Sequence, residues 1–214
     1  ETEFCSRVET FLKAHCTRIG EDQEMVGAED ADAIVRMKTF QGSLAEAGLA
    51  ALAYPAEFGG AGLTKRHQEL FDQTSKGWYL PNSALSISHG MCLPMLNQFG
   101  TDEQKSLFMP DCISGATTWC QLFSEPGAGS DVAGLATRAT RDGDQWILRG
   151  QKVWTSGAHY ADYGLIVART DPALPKHQGL SMFIVDMRDP AVEVRPLRQI
   201  SGGTGFNEVF FTDT

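Results

Sequence analysis

The stretch Trp119–Gly134, WCQLFSEPGAGSDVAG, marks a change in the kind of structure that the sequence encodes. The apolar run Trp119–Phe123 is typical of a short buried strand, and it leads into the small residues Gly127–Gly129. Because glycine leaves backbone N–H groups uncovered, such a turn can form a concave nest that attracts an anion. The hydroxyls of Ser124 and Ser130 can add hydrogen bonds to a phosphate or a heteroaromatic ring. The same residues also fit a glycine turn that binds no ligand.

The sequence on the two sides of this stretch follows different periodicities. Before it, helical spacing of apolar residues predicts helices over 4–16, 30–47, 64–78 and 83–99, and a short helix from Thr101 that breaks at Pro110. A polar, acidic gap over 20–29 separates the first two. After residue 115, apolar runs between turn residues predict strands at 117–123, 135–140, 145–149, 152–156, 164–170, 180–185, 192–198 and 208–212. We therefore expect an α+β chain: an all-α N-terminal helical domain over 1–115 and a β-barrel or β-sandwich middle domain over 116–214.

Charge and composition exclude several classes of partner. The net charge is −9 and no run of Lys and Arg occurs, so we expect no nucleic-acid partner. No apolar segment has the length of a transmembrane helix, so we expect no membrane insertion. The five cysteines form no CxxC pair and follow no metal-ligand spacing. Scattered thiols of this kind indicate a reducing compartment, and we expect a cytoplasmic protein.

A second stretch with binding chemistry is Gly150–Gly157, GQKVWTSG. A tryptophan followed by two hydroxyls can stack on a planar ring and hydrogen-bond its edge, although a core tryptophan is the simpler interpretation of this stretch alone. Two such stretches in one β domain favour a flat, phosphate-bearing cofactor. Glu125 is expected to cap the N–H groups of its turn rather than act as a base, and His89 is expected in the core. Because no catalytic triad or metal-ligand pattern occurs, cofactor chemistry fits the sequence better than side-chain chemistry.

Five motifs resemble those of the acyl-CoA dehydrogenase family, in the family's order along the chain. They are PAEFGGAG (55–62), FGTDEQK (99–105), FSEPGAGSDVAG (123–134), GQKVWTSG (150–157) and FNEVFF (206–211). The resemblance implies a helical N-terminal domain, a β domain and a C-terminal four-helix bundle, with FAD between the β domain and the bundle. It also implies α,β-dehydrogenation of an acyl-CoA thioester to the 2-enoyl-CoA, as in fatty-acid β-oxidation. The implied electron acceptor is an electron-transfer flavoprotein, and the full-length assembly is a dimer or tetramer.

The resemblance also gives roles to individual residues. The strand entering the glycine turn lines the isoalloxazine ring, the turn approaches the cofactor and the CoA chain, and the tryptophan segment packs on the flavin. The implied cofactor-binding residues are Gln121, Phe123, Ser124, Gly129, Ser130, Trp154, Thr155 and Ser156. Ser130 is also the implied substrate contact. The family's catalytic Glu lies in the bundle, so no catalytic residue is assigned here, and these 214 residues alone are expected to bind FAD poorly and to be inactive.

Two alternatives to a dehydrogenase stay open on the sequence. One is a non-catalytic partner subunit of a heteromeric acyl-CoA dehydrogenase, which keeps the flavin or CoA surface but needs another chain for activity. The other is a flavin oxidase or monooxygenase of the same fold. Thr155-Ser156-Gly157 stands where many family members have Ile-Thr-Asn, and this departure resembles bacterial branches acting on varied, sometimes bulky CoA thioesters.

Overall fold

The structure is a computed structural model of the chain, and it describes residues 1–20 and 30–214. These residues form two compact units, a helical unit at Glu1–Thr117 and a β unit at Thr118–Thr214. The predicted order, a helical domain followed by a β domain, is confirmed. The acidic gap predicted over 20–29 lies outside the described residues, apart from Gly20.

The described part of the helical unit contains five α-helices. They are α1 Thr2–His15, α2 Ala31–Glu46, α3 Lys65–Thr74, α4 Leu93–Phe99 and α5 Asp102–Ser114. The two-residue strands β1 (Thr17–Arg18) and β2 (Trp78–Tyr79) pair antiparallel. α5 begins at a capping box, in which the Gln104 N–H donates to Thr101 Oγ1 over 3.2 Å and the Thr101 N–H donates to Gln104 Oε1 over 3.0 Å.

The predicted break at Pro110 is wrong, because α5 continues through this residue. A proline inside a helix removes one backbone hydrogen bond and crowds the preceding turn. Burial offsets this cost, since the same stretch of α5 contributes three side chains to the core, Met109, Cys112 and Ile113.

Two other predicted helices are shorter or less regular than expected. The helix predicted over 64–78 ends at Thr74, and Trp78 joins β2 instead. The segment predicted as one helix over 83–99 starts as a 3-10 turn at Ser83–Leu85 and includes a π-helical turn at Ser88–Cys92 before α4. Gly90 and Pro94 lower the helix propensity of this segment, and Pro94 is tolerated in the first turn of α4, where its missing N–H would have no intrahelical partner.

The β unit is built on a seven-stranded sheet that curls into a half-barrel. The strands are β3 Trp119–Leu122, β4 Arg138–Asp142, β5 Gln145–Ser156, β6 Tyr163–Arg169, β7 Leu180–Asp186, β8 Val192–Leu197 and β9 Phe206–Thr212. The strands β6-β4-β5-β9-β8 follow one another across the sheet, and a single bridge joins β6 to β4. β6 also pairs antiparallel with β7 and parallel with β3. One face packs into a core whose buried members are Cys120, Leu122, Ala139, Leu148, Ala158, Ala161, Ile166, Ala168, Val185, Met187, Val209 and Phe211.

β5 joins two strands that the sequence analysis separates at Gly150. A Cβ at this position would lie 2.4 Å from Thr137 Oγ1, so glycine allows β5 to pass Thr137 without interruption. The pairing of β5 with β9 shifts between Lys152 and Thr155, which indicates a β-bulge. Among the described helices of the whole chain, none combines the length and hydropathy needed to cross a membrane.

Candidate functional site

The structure brings the two stretches with binding chemistry into direct contact. The Val153 N–H donates to the Ser124 backbone oxygen over 2.9 Å. The Nζ of Lys152 donates to the Phe123 backbone oxygen over 3.1 Å. The end of β3 is therefore fastened to the bulge in β5. We call residues 123–130 together with 154–156 the cofactor surface.

The glycine turn is closed by a pair of backbone hydrogen bonds. The Glu125 N–H donates to the Ala128 oxygen over 2.9 Å, and the Ala128 N–H donates to the Glu125 oxygen over 3.1 Å. Among the described residues, no atom lies within 4 Å of a Cβ built at Gly127 or Gly129, and neither has a positive φ. Neither packing nor backbone conformation within the described chain requires glycine at these positions. Glycine would be required at these positions if a group outside the chain approached the backbone closely.

The carboxylate of Glu125 accepts three hydrogen bonds from other groups of the β unit. It accepts the Ala136 N–H over 2.6 Å, the Thr137 N–H over 3.0 Å and the Nζ of Lys152 over 2.9 Å. Burial raises the pKa of Glu125, but its hydrogen-bond donors outweigh burial and hold that pKa below the ordinary value of a glutamate. The expected capping role is thus correct in kind but wrong in place, because the capped amides precede β4 rather than belong to the turn. Because these two amides donate to the Glu125 carboxylate and not to a neighbouring strand, β4 begins at Arg138 and not at the predicted residue 135.

Lys152 is the member of this site that no sequence pattern indicates. Its side chain is 0% exposed, and its ammonium group contacts Glu125 and the Phe123 backbone oxygen. Burial lowers the pKa of Lys152, and the Glu125 carboxylate opposes that shift. No local signal separates it from an ordinary solvent-facing strand lysine, because both of its partners lie more than 25 residues away in the sequence, at separations of 27 and 29.

Trp154 stands out from the surface at the bulge. Its side chain is 62% exposed, and its φ of 58° lies in the left-handed region that a tryptophan rarely adopts. Its ring meets Phe206 edge-on, with ring centroids 6.1 Å apart. The alternative of a core tryptophan is excluded for Trp154, and Trp119, at 3% exposed, occupies the core instead.

Thr155 and Ser156 differ in their access to the cofactor surface. Thr155 is 1% exposed, and its buried hydroxyl has no hydrogen-bond partner among the described residues. Ser156 is half-buried, and its hydroxyl is the more accessible of the two. Opposite Thr155 on β9, the buried Asn207 donates from Nδ2 to the Thr155 oxygen over 3.0 Å.

The remaining predicted residues lie on or beside the same surface. Gln121, Phe123 and Ser124 are half-buried at the end of β3, and Phe123 packs against a small apolar cluster of Ala128, Leu135 and Val167. Ser130 is exposed, next to Asp131, which forms a salt bridge with Lys176. The described residues therefore supply an aromatic platform, accessible hydroxyls and an open glycine turn on one surface.

The other candidates from the sequence lie elsewhere. His89 is in the helical unit, where its Nε2 lies 2.8 Å from the Cys112 oxygen and burial lowers its pKa, as expected of a satisfied core histidine. In the part of the chain that the structure describes, no three His, Cys, Asp or Glu side chains are arranged to hold a metal ion. None of the five cysteines, all of which lie in the described residues, forms a disulfide bond.

Comparison with known proteins places this geometry among related molecules. Residues 1–116 match the description "Acyl-CoA dehydrogenase, N-terminal domain" and residues 120–214 match "Acyl-CoA dehydrogenase, middle domain". The acyl-CoA dehydrogenase FadE34 of Mycobacterium tuberculosis is 48% identical over 170 residues, which cover 79% of this chain and 24% of FadE34.

Two solved structures share the fold across almost the whole chain. The ChsE4–ChsE5 complex of Mycobacterium tuberculosis has a TM-score of 0.77 and 28% identity, over 99% of this chain and 53% of its counterpart. The Tcur3481–Tcur3483 steroid ACAD has a TM-score of 0.76 and 26% identity, over 100% of this chain and 54% of its counterpart. This chain therefore spans between a quarter and about half of the length of these relatives.

Proposed function

The chain belongs to the acyl-CoA dehydrogenase family, and from that premise we propose that it forms the cofactor-facing part of an FAD-dependent acyl-CoA dehydrogenase. The proposed reaction converts an acyl-CoA thioester to the 2-enoyl-CoA. When bound, FAD would accept the hydride that leaves the β carbon of the acyl group. The residues of this chain would bind and orient the ring and the thioester and keep water from them.

The observation that carries this proposal is the exposed Trp154 beside an open glycine turn. The indole is 62% exposed and its residue has a positive φ, so both the exposed apolar surface and the backbone strain are unfavourable unless a ligand covers the ring. The turn next to it offers a path with no side chain at Gly127 and Gly129. Within the described residues, the amides of Gly129 and Ser130 make no backbone hydrogen bond and so can donate to a ligand.

The chain's own residues divide the proposed work between them. Trp154 would cover one part of the planar ring, and the Ser156 hydroxyl would donate to its edge. Gln121, Phe123 and Ser124 would line the ring from the end of β3, and the buried Thr155 would hold Trp154 and Ser156 in place. Gly129 and Ser130 would face both the cofactor and the thioester. Glu125 is not proposed as the base, because its carboxylate already accepts three hydrogen bonds.

Several wider features belong to the same proposal. We propose an electron-transfer flavoprotein as the electron acceptor, a dimer or tetramer as the assembly, and the cytoplasm as the compartment. Five cysteines without a disulfide bond support a reducing compartment. The catalytic Glu is proposed to come from outside this 214-residue sequence.

The complete gene product tests the proposal most directly, purified under non-denaturing conditions and analysed for bound FAD. Anaerobic addition of acyl-CoA thioesters should bleach the visible flavin absorption and yield the 2-enoyl-CoA. Reoxidation should need an electron-transfer flavoprotein or an artificial acceptor. Rapid peroxide release under air would instead favour the oxidase alternative, and a protein that neither binds FAD nor reacts would contradict the proposal.

A second candidate is a partner subunit of a heteromeric acyl-CoA dehydrogenase. It is favoured by the two solved structures, the ChsE4–ChsE5 complex and the Tcur3481–Tcur3483 steroid ACAD, because each is named for a pair of proteins. We propose that a heteromer of this kind would act on a bulky, steroid-like CoA thioester. The gene product would then bind FAD or turn over substrate only when co-expressed with a second acyl-CoA dehydrogenase chain, whereas the first candidate predicts activity alone.

A further inference from the structure

A buried ion pair ties the two halves of the cofactor surface together. The Nζ of Lys152 lies 2.9 Å from Oε1 of Glu125 and 3.1 Å from the Phe123 oxygen. The next residue of β5, Val153, donates its N–H to Ser124. Three consecutive residues of the turn are thus held by two consecutive residues of β5, immediately before the strand turns Trp154 outward.

The energetics of this pair indicate a role other than stability. Both side chains are nearly inaccessible, at 0% for Lys152 and 7% for Glu125, so each loses its hydration on folding. A buried pair of this kind commonly contributes little net stability relative to apolar residues of similar volume, because desolvation cancels most of the attraction. An apolar pair could fill the same space but could not fix the Phe123 oxygen or the carboxylate at one position. What the ion pair adds is a defined geometry.

We propose that Lys152 is the positioning residue of the cofactor surface, fixing the glycine turn relative to Trp154. The proposal rests on the proposed function in one respect, namely that the ligand of this surface is FAD. Lys152 itself does not touch that ligand, since its side chain is fully covered by protein. Its effect passes through the Phe123 oxygen and through Glu125, which in turn holds the amides of Ala136 and Thr137.

The test compares three variants of the complete gene product. Lys152→Met removes the ammonium group and leaves Glu125 as an unpaired buried carboxylate. Lys152→Met combined with Glu125→Gln removes both charges, which keeps the question open to experiment if the single variant fails to fold. Arg149→Met is the matched control, because Arg149 lies on the same strand but pairs with Asp213 in an exposed ion pair, at 72% and 49% exposed.

Two readouts separate positioning from a purely structural role. In the apo protein, hydrogen exchange at the Val153 and Ala128 amides should be faster in the double variant than in the wild type or Arg149→Met. The double variant should nevertheless unfold at a higher temperature than Lys152→Met, which leaves an unpaired buried carboxylate. FAD should bind about tenfold more weakly, the lower end of the loss caused at metal sites by removing a group that orients the binding residues, and the spectrum of bound flavin should change. Arg149→Met should match the wild type in every measurement.

The possible failures are distinguishable. If the wild type binds no FAD, the proposed function fails, and the exchange measurement alone then decides whether Lys152 positions the turn. If the wild type binds FAD and the double variant binds it equally tightly with an unchanged spectrum, the positioning role is wrong. Unchanged amide exchange in the double variant would also overturn it.

Discussion

The ring of Trp154 meets the ring of Phe206 edge-on, with the ring planes at 89° and the centroids 6.1 Å apart. Both side chains remain exposed, at 62% and 37%. The two rings therefore form an aromatic corner at the bulge of β5, directly beside the turn that Lys152 holds. Such a corner contributes little to the core and is suited to a planar ligand.

We expect Trp154→Ala to weaken FAD binding by about tenfold, since an aromatic contact contributes about 0.5–1.5 kcal/mol beyond the area that it buries. The free energy of unfolding of the apo protein should change by less than about 1 kcal/mol, because the indole is mostly exposed. Fluorescence titration with FAD and thermal unfolding measure the two effects. Trp146→Ala, on the same strand and 41% exposed, is the matched control and should bind FAD normally. Equal effects of the two substitutions would contradict the assignment of Trp154.

Two glycines of the β unit should respond differently to alanine. A Cβ at Gly164 would lie 2.3 Å from the Cδ1 of the buried Leu122, so Gly164→Ala should destabilise the fold by about 1–3 kcal/mol through overpacking. At Gly129 a Cβ meets none of the described residues, and Gly129→Ala should leave stability within about 0.5 kcal/mol. Only Gly129→Ala should weaken FAD binding in a fully folded protein. Denaturant unfolding and FAD titration test the contrast, and tight FAD binding by Gly129→Ala would count against the open turn as a ligand path.

Glu125 should make the stability of the fold depend on acid pH. Its pKa in the folded protein is lower than in the unfolded chain, where a glutamate titrates near about 4.3. The ionised carboxylate therefore stabilises the fold above that unfolded pKa, and this contribution is lost as the pH falls through the folded pKa. Wild type and Glu125→Gln should differ most near neutral pH, and the difference should shrink as the pH falls through the folded pKa of Glu125. Urea unfolding as a function of pH measures the difference, which would stay constant with pH if the carboxylate were not involved.

Asn207 should be intolerant of aspartate. Its side chain is 0% exposed, and its Nδ2 donates to the Thr155 oxygen and contacts His159 Nδ1 at 3.2 Å. Aspartate keeps the shape but has no donor, so Asn207→Asp should cost about 2 kcal/mol or more of unfolding free energy, since a buried acceptor loses its partner. Thermal or urea unfolding checks this expectation. A variant as stable as the wild type would mean that the amide does not hold β5 at the bulge.

The fold and the site differ in how far the sequence predicts them. Apolar periodicity correctly separates helices from strands, and the glycine turn and the tryptophan stretch are both visible as local patterns. Features that depend on distant contacts are not visible in this way. Pro110 stays helical because its neighbours are buried, and Lys152 is buried because Phe123 and Glu125 meet it from 29 and 27 residues away. The outward turn of Trp154 depends on the register shift against β9, which a local pattern does not encode.

We propose that the surface between the glycine turn and Trp154 holds a redox-active flavin that acts on acyl-CoA thioesters. The most direct measurement is anaerobic titration of the FAD-loaded complete gene product with a panel of acyl-CoA thioesters that includes bulky acyl groups. We expect a thioester to bleach the visible flavin absorption with stoichiometric formation of the 2-enoyl-CoA, and we expect Trp154→Ala and Gly129→Ala to need more FAD to reach the same response. An FAD-loaded product whose flavin stays oxidised with every thioester, alone and with a co-expressed partner chain, would contradict it.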